Sequence, residues 1–229
     1  MARTVEGTPR HILVLDVGGT HVKAYLSSLQ QEWKIPSGPK MTPEKMVNKL
    51  STLLKGKTYE AVSIGYPGVV VHNRILREPS NLGKGWVGFD FEKSFDRPVR
   101  ILNDAALQAL GSYQGGRMLF LGLGTGLGSA MIVDGKLEPM ELAHLPYKKG
   151  KTYEEYVGEG ALKKFGRKKW EKEVREVVEQ LSAALEPDYI VLGGGNVRKI
   201  KEMPPGARPG DNRNAFLGGL RLWADRDEL

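Results

Sequence analysis

Twice along this chain a short β-rich run breaks at a cluster of glycines and resumes on the far side. His11 to Val17 (HILVLDV) stops at Gly18-Gly19-Thr20, and Val22 to Leu26 continues it. Met118 to Leu123 stops at Gly124-Thr125-Gly126-Leu127-Gly128, and Ser129 to Val133 returns. Each reads as strand, tight turn, strand. Glycine lets backbone pass close to a ligand, and consecutive amides in such a turn form an anion-binding concavity. Two such turns facing each other across a cleft can hold a phosphate chain from both sides, each adding a threonine hydroxyl. Seen singly, either is equally a plain hairpin turn. Neither matches the Walker pattern or the dinucleotide fingerprint. A third cluster, Gly193-Gly194-Gly195, ends the strand Tyr189 to Leu192 and can approach a nucleotide.

The segments between repeat in outline. Thr42 caps a predicted helix with Pro43 at its first position, and Met46, Val47, Leu50, Leu53 and Leu54 recur at helical spacing. Ala61 to Tyr66 reads as a buried strand stopped by Pro67-Gly68. Glu78 to Phe91 is loop-like. Val99 to Leu102 is a strand feeding a helix, Ala105 to Tyr113, through Asn103-Asp104. In the second half, Trp170, Val174, Val177, Val178, Leu181 and Leu185 share one face of a long helix that Pro187 ends. Ala215 to Trp223 closes the chain as a helix. The pattern predicts a duplicated α/β architecture.

Composition narrows the chemistry. There is no cysteine, which excludes a disulfide framework, an iron–sulfur cluster, a thiol nucleophile and a cysteine zinc site. With 229 residues, one large domain or two small ones are equally open. Met1 to Arg10 is polar and lacks the apolar centre of a signal peptide, and no apolar run approaches membrane-spanning length. The expectation is a soluble, cytoplasmic protein with no membrane partner.

Five segments together resemble the sugar kinases of the actin–hexokinase superfamily. LDVGGTHVKAYL is similar to their first phosphate motif, LGLGTGLGSAMIVDG to the second and YIVLGGGN to the adenosine motif. LNDAALQALG resembles the segment that carries the catalytic aspartate, and ELAHL the ExGH sugar-binding motif of the ROK family. YEEYVGEGALKKFGRKKWEKEV and GDNRNAFLGGLRLW resemble the family's polyphosphate-using glucokinase branch. The likeness runs from about Arg10 to Trp223, in order.

That resemblance implies an actin-like (ribonuclease H-like) duplicated fold, with two lobes around a cleft. One lobe would span residues 1–102 plus 213–229, the other 103–212. It implies phosphoryl transfer to the 6-hydroxyl of glucose with Asp104 as general base. Phosphoryl transfer requires positioning, charge neutralisation and one acceptor for the hydroxyl proton. Asp104 also stands where a helix begins, so a plain capping role competes. The two are compatible if the helix N-terminus holds the carboxylate ionised. Asn81, Asn103, Asp104, Glu141 and His144 match the family's sugar contacts, and Glu154 aligns with a further sugar-binding glutamate or is a solvated helix charge. Ala143 replaces the motif's glycine, and its methyl is expected to tilt the loop or narrow the pocket. Asp16 would orient Mg²⁺ through water. Gly18, Gly19, Thr20, Gly124, Thr125, Gly126, Gly194 and Gly195 would hold the donor, ATP or polyphosphate. Lys23 would approach the phosphates or lie on the surface. The interval Leu145 to Tyr153, where many relatives carry a cysteine-rich zinc loop, argues for no zinc. A homodimer is expected.

The charge surplus has a location. Of 34 basic and 27 acidic residues, nine basic and four acidic ones lie between Lys148 and Lys172, a local surplus of five in a chain with a net charge of +7. Lys148, Lys149, Lys151, Lys163, Lys164, Arg167, Lys168, Lys169 and Lys172 form either a solvated face or a guide for long inorganic polyphosphate. Competing readings are a ROK kinase using ATP on mannose or N-acetylmannosamine, a non-catalytic sugar-binding regulator, and a basic nucleic-acid-binding module. The regulator is disfavoured because only about ten residues precede the first strand, too few for a helix-turn-helix. No nucleic-acid fold signature accompanies the basic run.

Overall fold

A computed structural model describes residues 9–224. Most of the polar amino-terminal stretch and the last five residues of the first lobe's expected return, 225–229, lie outside the described residues.

The first half builds one sheet. β1 (Ile12–Val17) and β2 (His21–Leu26) pair antiparallel around the first glycine turn, which sets Asp16 opposite Lys23, and β3 (Gln31–Pro36) continues the meander. Helix α1 (Pro43–Leu53) begins where expected: Thr42 accepts from the Lys45 amide at 3.3 Å, and Pro43 sits where a missing N–H leaves nothing unpaired. Its Met46, Val47 and Leu50 face the core. β4 (Ala61–Tyr66) then lies parallel to β1. A small hairpin, β5 (Val70–Val71) and β6 (Arg74–Ile75), and the short helix α2 (Phe91–Phe95) precede β7 (Val99–Asn103), parallel to β4.

The second half repeats this order. Helix α3 (Asp104–Ser112) leaves β7 without a loop. β8 (Arg117–Leu123), β9 (Leu127–Val133) and β10 (Lys136–Met140) form an antiparallel meander around the second glycine turn. Helices α4 (Glu154–Val157), α5 (Glu159–Phe165) and α6 (Arg167–Leu185) lead to β11 (Tyr189–Gly193), parallel to β8. β12 (Ala207–Pro209) and α7 (Asn214–Arg221) follow. The sheet orders are β3-β2-β1-β4-β7 and β10-β9-β8-β11-β12, so the two halves share one topology.

The helices α3 and α7 tie the halves together at backbone distance. A Cβ on Gly111 would stand 1.8 Å from the Asn214 carbonyl oxygen, and one on Gly218 would stand 1.9 Å from that of Leu107. Arg221 of α7 donates to the carbonyls of Leu110 and Tyr113, each at 2.9 Å, and so closes the carboxy-terminal end of α3 with a cation. From there α7 reaches the first sheet. Gly219 lies against Val14, and the Ser63 hydroxyl donates to the Gly219 carbonyl at 2.6 Å. On its other side α3 meets β9, where bare Gly128 admits the Ala105 side chain. The first residue of α3 is thereby fixed between the two sheets.

Candidate active site

That first residue is Asp104. Asn103, the last residue of β7, caps α3 instead: its Oδ1 accepts from the amides of Ala105 (2.9 Å) and Ala106 (3.4 Å). Its Nδ2 donates to the Gly68 carbonyl at 3.0 Å. Asp104 is therefore released from the capping role, with Oδ1 accepting from the adjacent Ala105 amide at 2.8 Å. Gly65, paired with Asp16 across β1 and β4, is where α3 comes down. A Cβ there would lie 2.9 Å from Leu107 and 3.7 Å from the Asp104 Cα.

The result is two carboxyl groups at one place. Burial pushes the Asp104 carboxyl up to about 7, and the negative charges of Asp16 and Glu141 add to the rise. The amide bonds at the helix N-terminus pull the other way and are outweighed. The expectation that the helix start keeps Asp104 ionised is thus reversed by desolvation. Asp16 is itself compensated, since Lys23 Nζ lies 2.9 Å from its Oδ2. Lys23 is neither a loose surface lysine nor uncommitted.

The first glycine turn is rigidly held. Gly18 N donates to the His21 carbonyl at 3.0 Å, while Ser37 binds the turn twice, through its hydroxyl to Gly18 O and its amide to Thr20 O. Asn81 packs on Gly19, 3.1 Å from where a Cβ would stand. The turn residues Gly18, Gly19, Gly124 and Gly126 do not adopt positive φ; at Gly18, Gly19 and Gly126 what glycine supplies is room, while a Cβ on Gly124 would meet no protein atom within 4 Å. Gly194 differs: its φ is +84°, and a Cβ would also strike the Leu123 backbone. Beside it Gly195 opens onto space.

The second turn is gripped from two directions. Asn196, buried, donates through Nδ2 to Gly124 O and through its amide to Leu123 O, both at 3.0 Å, and so ties the third glycine cluster to the second. The segment YIVLGGGN contains this asparagine, but its partner lies 72 residues earlier, so no local signal reveals the role. Glu154 lies over Gly126 and accepts from the Leu127 amide at 3.1 Å, so it is not a solvated helix charge.

Glu141 and His144 bracket a 3₁₀ turn (Leu142–His144) and are both exposed, whereas Ala143 is only 2% exposed and packs into the second core. Its methyl is therefore part of that core's packing. The segment after His144 is closed by side chains: Lys148 pairs with Glu173 (3.0 Å) and Glu176, and Tyr147 donates to Glu173 at 3.1 Å. Its ring also stacks on Tyr153 at 5.0 Å. The structure thus gathers Asp16, Lys23, Asn103, Asp104 and Glu141 at one focus, Asn81 at the first turn and Glu154 at the second. His144 makes no hydrogen bond among the described residues.

The ROK family's sequence model matches residues 12–139. Polyphosphate glucokinase of Mycobacterium tuberculosis (strain CDC 1551 / Oshkosh) is 30% identical over 220 residues, covering 86% of this chain and 82% of that protein. The chain belongs to the ROK family. Its fold is the actin-like one: the inorganic polyphosphate/ATP-glucomannokinase from Arthrobacter sp. strain KM superimposes with a TM-score of 0.75 at 23% identity, over 93% of this chain and 97% of that one. A ROK family transcriptional regulator, a homolog of the E. coli MLC protein, matches at 0.74 and 14% identity over 93% of this chain and 77% of its own. Fold alone therefore does not separate the family's kinases from its regulators. The residues at the focus must do that.

Proposed function

We propose that this sugar kinase transfers a phosphoryl group from inorganic polyphosphate or ATP to the 6-hydroxyl of glucose, in the cytoplasm, with Asp104 as general base. The observation that carries the reading is the Asp104 carboxyl, released from capping by Asn103 and poised at about 7 beside Asp16. A base whose pKa lies near working pH combines the right protonation state with driving force for proton transfer. A sugar-binding regulator would use the carboxyl as a sugar contact alone, so turnover rather than binding separates the two.

In this reading glucose lies between Asn81, Asn103, Glu141, His144 and Glu154. Asp104 takes the proton of the attacking hydroxyl, while the amides of the two glycine turns face the donor phosphates. The oxygen donors fit a hard cation held through water: Asp16 would orient Mg²⁺, which would neutralise charge on the transferring group. Among the described residues no three His, Asp or Glu side chains converge as a ready-made metal cage. Movement of the two lobes about the cleft would exclude water from the donor.

Polyphosphate as donor is supported by the basic segment. Among the described residues, Lys148, Lys151 and Lys163 are paired with carboxylates, whereas Lys149, Lys164, Arg167, Lys168, Lys169 and Lys172 have none within ion-pair distance. Arg167, Lys168 and Lys169 open α6, a helix with no acidic residue in its first turn. Cations there oppose the helix dipole by roughly 0.3–1 kcal/mol each, a cost that an anionic partner would offset. Initial rates for glucose, mannose and N-acetylmannosamine, each with ATP and with polyphosphate, test the reading. Glucose with polyphosphate should be turned over, and that rate should fall steeply with salt. Replacing Lys164, Lys168 and Lys172 by Gln should raise the polyphosphate KM and leave the ATP KM unchanged. Equal losses with both donors would refute the polyphosphate assignment.

A further inference from the structure

The α4–α5 corner is built around the second phosphate turn. Glu159 N donates to Gly124 O at 3.0 Å and to Thr125 O at 3.2 Å. Gly158, whose amide donates to Glu154 O at 2.8 Å, comes so close that a Cβ would lie 2.9 Å from Thr125 O. The corner's backbone therefore holds the carbonyl side of the turn. The Glu154 side chain holds the amide side. Its Oε2 accepts from Leu127 N at 3.1 Å, and a methyl on Gly126 would fall 2.0 Å from that oxygen and 2.9 Å from the carboxyl carbon.

We propose that Glu154 is a positioning residue that couples occupancy of the sugar pocket to the shape of the second phosphate turn. The proposal rests on the kinase reading above and deepens it. A carboxylate offers about four lone-pair sites on two oxygens. Oε2 is committed to the turn, while Oε1 accepts nothing among the described residues. A sugar hydroxyl donating to Oε1 fixes the rotation of the carboxylate, and that fixes Oε2 on Leu127. With Leu127 held, the turn presents the amides of Thr125 and Gly126, which donate to no protein acceptor among the described residues. Without sugar the Leu127 bond alone orients the carboxylate, and the cradle is held less firmly. Coupling of this kind is reciprocal: sugar tightens donor binding by the same factor as donor tightens sugar.

The test measures glucose binding to the full chain by calorimetry, and KM values for glucose and for ATP separately. Glu154→Ala should raise both KM values about tenfold or more, the size of one lost hydrogen bond to a charged group at each site. Glu154→Gln keeps one oxygen for Leu127 and turns its amide toward the sugar. It should raise the glucose KM alone and leave the ATP KM within about twofold. If Glu154→Ala raised only the glucose KM, Glu154 would be a simple sugar contact and the proposal would fail. Loss of melting temperature with neither KM changed would also overturn it. Should Glu154→Ala not fold, Gly126→Ala decides from the other side. It lies in the donor turn, yet it should displace Glu154 and weaken glucose binding; unaltered glucose affinity overturns the proposal. Failure of the kinase reading looks different, because then the wild-type chain would phosphorylate no hexose with either donor.

Discussion

Lys23 Nζ stands 2.9 Å from Asp16 Oδ2, on facing positions of the strands that flank the first glycine turn. If, as proposed, the turn receives the anionic donor, that donor comes to a place that already holds two carboxyl groups, and a cation at that spot relieves the repulsion. Lys23→Met should raise the donor KM several-fold and leave glucose binding nearly unchanged. The pair is partly solvated, so the stability change should be about 1 kcal/mol or less. Steady-state kinetics in each substrate and a melting curve read both effects. An unchanged donor KM would show that the ion pair only braces the hairpin.

Asp104 yields a pH prediction with a definite sign. Its carboxyl ionises near 7 in the native chain, against 3.8 for an ordinary aspartate. The base form is lost below 7, so kcat/KM should fall on an acid limb with an apparent pKa near 7. Asp16→Asn removes a neighbouring negative charge and should move that limb to lower pH on whatever activity remains. Between roughly pH 4 and 7 the native state binds the extra proton, so this group's contribution to stability declines as pH rises through that window. Asp104→Asn keeps the Asn103 cap and removes the penalty. It should melt no lower than wild type at pH 8, while kcat drops by ~10²–10⁴. A variant with wild-type turnover would end the base assignment.

Asn103 makes the complementary case. Asn103→Ala removes the α3 cap and the bond to Gly68, for a loss of about 1–2 kcal/mol. Because Asp104 is the next residue, kcat should also fall, unlike an ordinary cap deletion. Asn103→Ser restores a capping oxygen without reaching Gly68, and thermal melts with parallel rates would separate the two contributions.

The glycine turns, the Thr42 cap and the strand–helix passage at Asn103-Asp104 were legible because each has a local cause. So was the duplication, since each half needs a meander around its turn before a parallel strand. The strands β3, β10 and β12 were not legible. QEWKIP and KLEPM lie at or near sheet edges, half in solvent, where no alternation of apolar residues is required, and Pro139 is tolerated there. At the site, the family resemblance pointed to Asp16, Asp104 and Glu154, but their partners were invisible. Which of Asn103 and Asp104 caps depends on a single backbone register. Whether Asp104 is ionised depends on burial between two sheets, and the roles of Glu154 and Asn196 depend on loops far apart in sequence.

The crossing of α3 and α7 offers the last prediction, because it asks whether the site depends on a contact that touches no substrate. A methyl on Gly218 would sit 1.9 Å from the Leu107 carbonyl oxygen and 3.0 Å from the Gly111 amide nitrogen. Backbone cannot yield as a flexible side chain does, so Gly218→Ala must push the helices apart. Overpacking of this kind costs about 1–3 kcal/mol and sometimes more. Since α3 begins at Asp104 and α7 packs on Val14 of β1, two residues before Asp16, separation should also misplace the two carboxyl groups. The kcat should fall further than the loss of stability explains, measured well below the melting temperature. Gly160→Ala in α5 is the matched control. It has open space around it and an ordinary φ, so alanine should be neutral or stabilise the helix by roughly 0.5–1 kcal/mol. Equal behaviour of the two variants would mean that the helix crossing is not what holds Asp104 in place.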